Sequence, residues 1–105
     1  MWHLDKQDPV SGSLLLTHPG LDEASFPALA PALLTAWELR LVEREQGADR
    51  HCWVVDFEGS KLLLQYEHYG EVCWLEVCHP DDRPLLDWLA RHQAAQGLHS
   101  GGEGV

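Results

Sequence analysis

The side chains able to carry chemistry are three cysteines, seven histidines and seventeen carboxylates, and few of them fall at useful spacings. Cys52, Cys73, Cys78 and His79 are of the types that bind zinc. Their placement argues against it. Side chains alternate across a strand, so Cys73 points to one face of a sheet while Cys52 and Cys78 point to the other. Cys52 falls level with Val72, and Cys78 lies six residues further along that strand, a span of roughly 20 Å. Zinc ligands must converge within about 2.3 Å of one ion, and the same span forbids a disulfide between those two cysteines. Cys73 is expected as a small core hydrophobe. A better grouping is Glu45, His51, His68 and Glu71, which strand alignment sets in one row at a sheet end. Two imidazoles beside two carboxylates could hold a divalent metal or form a proton-sensitive site. As solvated loop-end residues they would do neither.

Catalytic signatures are missing. The chain has no G-x-S-x-G elbow, no P-loop and no G-x-G-x-x-G. The 81-DDRP-84 run offers a carboxylate pair for acid–base work, but it suits the cap of a helix better, where negative charge meets the positive dipole end. His92 falls on a helical stripe and reads as a half-buried histidine. No catalytic residue and no cofactor is expected.

Composition narrows the partners. Seventeen Asp and Glu against seven Lys and Arg give a net charge of -10 over 105 residues. Phosphate backbones need a basic patch and anionic membranes repel this surface, so nucleic acid and membrane are excluded as expected partners. A protein partner or a second copy remains. The first residues, MWHLDKQDPV, lack the apolar run of a signal peptide, and no run reaches the length of a membrane span. With an odd cysteine count, the expectation is a reducing cytoplasm. A chain of this length suits one domain, expected over 13–96 with a loose lead-in at 1–12 and a disordered Gly-rich tail at 97–105.

The elements that must position these residues follow from periodicity. Leu14 to Thr17 reads as a short strand of unassigned position, stopped by His18-Pro19-Gly20. Ser25 can cap a helix from Phe26, with Phe26, Leu29, Ala30, Leu33 and Trp37 on one face. Pro31 inside it predicts a kink or a 3₁₀ start. Four strands follow at 38–45, 51–58, 61–67 and 71–78. Asp81 or Asp82 can cap a second helix with Leu85, Trp88, Leu89 and His92 as its inner stripe, ended by Gly97. The fold class is α+β, an antiparallel four-stranded meander with two helices on one face, in the order β-α-β-β-β-β-α.

Register decides the faces. A two-residue turn at Gly59-Ser60 pairs Phe57 with Leu62, Val55 with Leu64 and Trp53 with Tyr66. A turn around Tyr69-Gly70 pairs Tyr66 with Cys73, Leu64 with Leu75 and Leu62 with Val77. The first pair of strands sets Leu41 against Val55 and Leu39 against Phe57. One face is then wholly apolar and takes both helices, with Trp37 and Trp88 buried. On the opposite face Val42, Val54, Leu63, Val72 and Trp74 lie together, covered by no predicted element. Exposed Trp among aliphatics marks a candidate contact surface.

The runs 53-WVVDFEGSKLLLQYE-67, 74-WLEV-77 and 81-DDRPLLDWLA-90 resemble a small bacterial protein family of about a hundred residues with no assigned function. The resemblance covers residues 25–92. It implies a compact α+β domain in the bacterial cytoplasm and supplies no active-site residues. The leading functional expectation is a non-enzymatic interaction module, including a homodimer, using the face around Trp74. The alternative is a small-ligand or metal-binding domain or enzyme at the His51/His68 end. A weaker third is an acidic surface that mimics nucleic acid.

Overall fold

The computed structural model describes residues 1–94. Its elements are β1 (His3–Gln7), β2 (Leu14–Thr17), α1 (Phe26–Trp37), β3 (Arg40–Gln46), β4 (Arg50–Phe57), β5 (Ser60–Glu67) and β6 (Val72–Val77). A 3₁₀ turn (Pro80–Asp82) then leads into α2 (Arg83–Trp88), which widens into a π-helical stretch (Leu89–Ala94). The architecture is α+β: a six-stranded antiparallel sheet, ordered β1-β2-β6-β5-β4-β3, and two helices.

The expected meander is present as β3 to β6, and two further strands extend it. β2 pairs with β6, setting Leu14 against Leu75 and Leu16 against Cys73. Residues 3–7, expected within a loose lead-in, instead form β1 at the sheet edge. The polar string HLDKQ hides this strand for a physical reason. An edge strand needs only one inward anchor, here Leu4 opposite Leu16, and the bulge at Asp5 breaks the alternation that would reveal it. The residues expected as a disordered tail, with Gly97 as helix stop, lie outside the described residues.

The β5–β6 register is the expected one, with Tyr66 against Cys73, Leu64 against Leu75 and Leu62 against Val77. The β4–β5 register differs by two residues: Phe57 meets Ser60, Val55 meets Leu62 and Trp53 meets Leu64. The turn residues are therefore Glu58 and Gly59, both at positive φ (50° and 97°), as a type I′ turn requires. Asp56 accounts for this choice, accepting the Gly59 N–H at 3.2 Å and the Lys61 ammonium at 3.2 Å. A shift of two preserves which face each side chain occupies, so Trp53, Val55, Phe57, Leu62, Leu64, Tyr66, Cys73 and Leu75 all point inward and are buried.

Both helices cover that inward face. Phe26, Ala30, Leu33, Leu34 and Trp37 of α1 join the strand residues in one core, as do Leu86 and Leu89 from the C-terminal helix. Pro31 neither breaks α1 nor gives it a 3₁₀ start. Its ring sits on the solvent side, so water can serve the carbonyl that it leaves without an N–H. Ser25 occupies the N-cap position without a side-chain cap bond; its hydroxyl instead donates to the Gly20 carbonyl at 2.9 Å. Asp82 precedes α2 and likewise makes no side-chain cap bond.

The inner stripe of the second helix is Leu86, Leu89 and Gln93, with Leu85 and Ala90 at its margins; Trp88 and His92 are exposed. The π-helical stretch carries Gln93 inward after Leu89, where its amide donates to the Trp37 carbonyl at 3.2 Å and so serves an orphan acceptor at the end of α1. Trp88 is 40% exposed, not buried as expected, and lies tilted between Phe57 and His92 at centroid distances of 5.4 and 4.7 Å.

Among the described residues three glutamates take positive φ: Glu38 after α1, Glu58 in the β4–β5 turn and Glu71 before β6. At Glu38 the left-handed turn lets the Leu39 N–H reach the Leu34 carbonyl at 2.8 Å, closing the helix as a Schellman motif does. A side chain there costs about 1 kcal/mol relative to glycine. Glu38→Gly and Glu58→Gly should each raise unfolding free energy by about 1 kcal/mol, read by urea titration. Leu64→Ala, at a fully buried position, should lower it by about 2–5 kcal/mol.

Candidate functional site

The outer face of the sheet is built by the residues that alternate with the core. Leu15 lies beside Trp74, Trp74 beside Gln65, and Gln65 beside Cys52. The neighbouring row sets Leu63 between Glu76 and Val54. Val72 stands next to Glu67 at one end. Four of the five expected contact residues, Val54, Leu63, Val72 and Trp74, thus share this face and are partly exposed. Leu15 joins them because β2 docks on β6, a pairing that sequence periodicity does not reveal. Val42 is the extra residue of a bulge between Leu41 and Glu43, 43% exposed at the sheet edge rather than in the Trp74 row. The buried apolar side chains of both helices belong to the core on the opposite side, so neither helix covers the outer face.

Polar bonds fix the apolar groups in place. The Trp74 indole N–H and the Gln65 amide both donate to Glu76 Oε1, the latter at 2.9 Å, so the indole is tethered within the sheet surface. At the adjoining corner Asp56, 8% exposed, faces Arg40 at 3.5 Å and Lys61 at 3.2 Å. Burial pushes the Asp56 carboxyl upward, but the Gly59 N–H, Lys61 and Arg40 together outweigh it and hold the group below its ordinary value. Glu43 is raised instead, by a hydrogen bond with Glu45 and by the charge of that neighbour.

The bulge at Val42 dissolves the histidine–carboxylate row. Past it the register slips by one, so Glu45 sits opposite Cys52 on the outer face while Gln46 meets His51 on the inner one. His51 is buried, stacked on Phe26 at 5.0 Å, with Nε2 donating to the Glu23 carbonyl at 2.8 Å. His68 is exposed and lies 3.7 Å from the Glu23 carboxylate. Glu71 occupies the positive-φ turn position. Two of the four are therefore on opposite faces, and they do not converge as a ligand set. Among the described residues no group of three His, Cys, Asp or Glu is placed to hold a metal ion.

The cysteines divide as alternation requires. Cys73 is in the core, and burial pushes its thiol up to about 12. Cys52 is partly exposed and Cys78 exposed. No helix among the described residues is long and apolar enough to cross a membrane.

Residues 2–94 match a family described as protein of unknown function (DUF3630). The chain belongs to that family. The match spans both helices and all six strands, β1 included, which places the edge strand inside the family's common unit. No curated protein matches the chain, and no solved structure does. A family of unknown function assigns no activity, so this DUF3630 chain must be read from its own surface.

The depressed Asp56 carboxyl gives a signed pH dependence. A folded value below the unfolded one means that its stabilisation is complete above about the ordinary 3.8 and fades as pH falls through the folded value. Asp56→Asn should therefore lower the melting temperature at neutral pH, with the gap from the parent closing as pH drops below 3.8. Thermal melts followed by circular dichroism across that range check this.

Proposed function

We propose that this DUF3630 chain is a non-enzymatic protein-interaction module whose outer sheet face pairs with a second copy of the chain. The observation that carries the reading is the charge distribution. Paired outer-face positions hold Lys6, Arg40, Arg50 and Lys61 against Glu43, Glu45, Asp56, Glu67 and Glu76. That is four cations to five carboxylates, whereas the rest of the chain holds twelve of seventeen carboxylates and only three of seven Lys and Arg. A face near neutrality on a protein of net charge -10 can meet its own copy with little repulsion. The strongly acidic remainder discourages association elsewhere.

The sheet edges support a face-to-face contact. Both edge strands carry bulges, at Asp5 in β1 and at Val42 in β3, and both present charged side chains. Bulges and edge charges are devices that block strand addition. Two outer faces can instead stack about 10 Å apart, with Trp74, Leu63 and Leu15 at the centre and the charged residues as a rim. Twofold pairing is the commonest closed assembly.

Sedimentation velocity over a concentration series tests the proposal. The parent should run as a dimer, and Trp74→Ala should weaken the dissociation constant about thirtyfold, as expected for loss of an aromatic anchor worth about 2 kcal/mol. Leu63→Glu should give a monomer with unchanged far-ultraviolet circular dichroism. A parent that sediments as a monomer throughout removes the reading, whether its Trp74 indole is open to solvent or covered by something else.

A further inference from the structure

The inner side of the same sheet has a second feature, at the corner where β3 and β4 approach the start of α1. A cavity of about 210 Å³ opens there, lined by Pro27, Arg44, Glu45, Gln46, His51 and Trp53. Arg44 lines it only because of the Val42 bulge. Plain alternation from Arg40 would send Arg44 to the outer face; the extra residue brings it opposite Trp53 instead. Bulges often serve to re-aim a side chain in this way, and they are over-represented beside functional sites.

The cavity's chemistry is specific. The Arg44 guanidinium stands 5.5 Å from the Trp53 ring centroid, a cation–π arrangement that orients its planar fork. Among the described residues no carboxylate lies within ion-pair distance of it, although the chain has more than two acids for each base. His51 spends Nε2 on the Glu23 carbonyl. A carbonyl only accepts, so Nε2 is the donor, and the fixed ring lines the cavity as a wall. Trp53 is buried and edge-packed on Phe26 at 5.2 Å, which gives the cavity a rigid apolar wall. Glu45 also lines the cavity, from its rim, since its place opposite Cys52 belongs to the outer row.

We propose that this cavity binds a small carboxylate, paired with the guanidinium of Arg44 and seated against Trp53 beside His51 and the Gln46 amide. Arginine fits a carboxylate bidentately. The volume lies below the roughly 300–1,000 Å³ of pockets that enclose drug-sized molecules, so the ligand is a short aliphatic acid rather than a nucleotide. Apart from Glu45 at the sheet edge, its lining lies on the face opposite the proposed dimer contact, and the site does not depend on that contact.

The test is a titration of isotopically labelled full-length protein with succinate at constant ionic strength, followed by nuclear magnetic resonance. Sodium chloride and inorganic phosphate are titrated in parallel. Saturable shifts confined to the His51 ring, the Trp53 indole N–H and the Gln46 side-chain amide are expected with succinate alone. Arg44→Gln, at an exposed position that should not disturb folding, should weaken binding about tenfold or more, in keeping with loss of a charge-assisted bond. Trp74→Ala should leave it unchanged. Shifts that never saturate, that appear equally with phosphate or chloride, or that persist undiminished in Arg44→Gln overturn the assignment.

Discussion

The inward row of β5 is the constraint on which the rest depends. Leu62, Leu64 and Tyr66 are at most 1% exposed, and β5 is flanked by β4 along its whole length and by β6 from Leu62 to Glu67. Each buried Leu contributes about 1.5–3 kcal/mol relative to exposure, and a slip of one residue would move all three to solvent and bring Leu63 and Gln65 inward. That cost fixes the parity of both neighbours. It places Trp53, Val55, Cys73 and Leu75 inside, and it obliges both helices to dock on the same side. The open outer face is the complement of this arrangement.

How much of this could be read from residues alone follows from which errors preserve parity. The β4–β5 turn is displaced by two positions, from Gly59-Ser60 to Glu58-Gly59, because Asp56 binds the Gly59 N–H and Lys61. Every face assignment survives that displacement. A bulge is different, since it shifts parity by one and has no residue signature. At Val42 it moves Arg44 inward and Glu45 outward, undoing the Glu45–His51 row. The candidate contact face was accordingly legible in its β4, β5 and β6 members, while the cavity residue Arg44 was not. The stripe of the second helix differs in another way: Leu86, Leu89 and Gln93 keep helical spacing, but the buried face is turned by one residue from the expected Leu85, Trp88, Leu89 and His92.

His51 illustrates how context overrides residue type. Two histidines near two glutamates invite a metal reading, yet the β4 alternation sends His51 beneath α1, where Phe26 stacks on its ring and a backbone carbonyl takes its N–H. The same histidine thereby ties the loop before α1 to β4 across twenty-eight residues of sequence. A polar side chain is tolerated in the core because its donor is satisfied there.

The two bulges also connect stability with surface chemistry. An unprotected sheet edge offers unpaired N–H and C=O groups to any strand that approaches. β3 is exposed at every residue, so it needs protection most. Its bulge supplies this by spoiling the regular ladder, and the same extra residue turns Arg44 across the edge onto Trp53. One local irregularity therefore blocks strand addition, separates Glu45 from His51 and brings a guanidinium to the cavity mouth. Deleting Val42 would reverse all three together, because each is a consequence of where the β3 side chains point after the register slips.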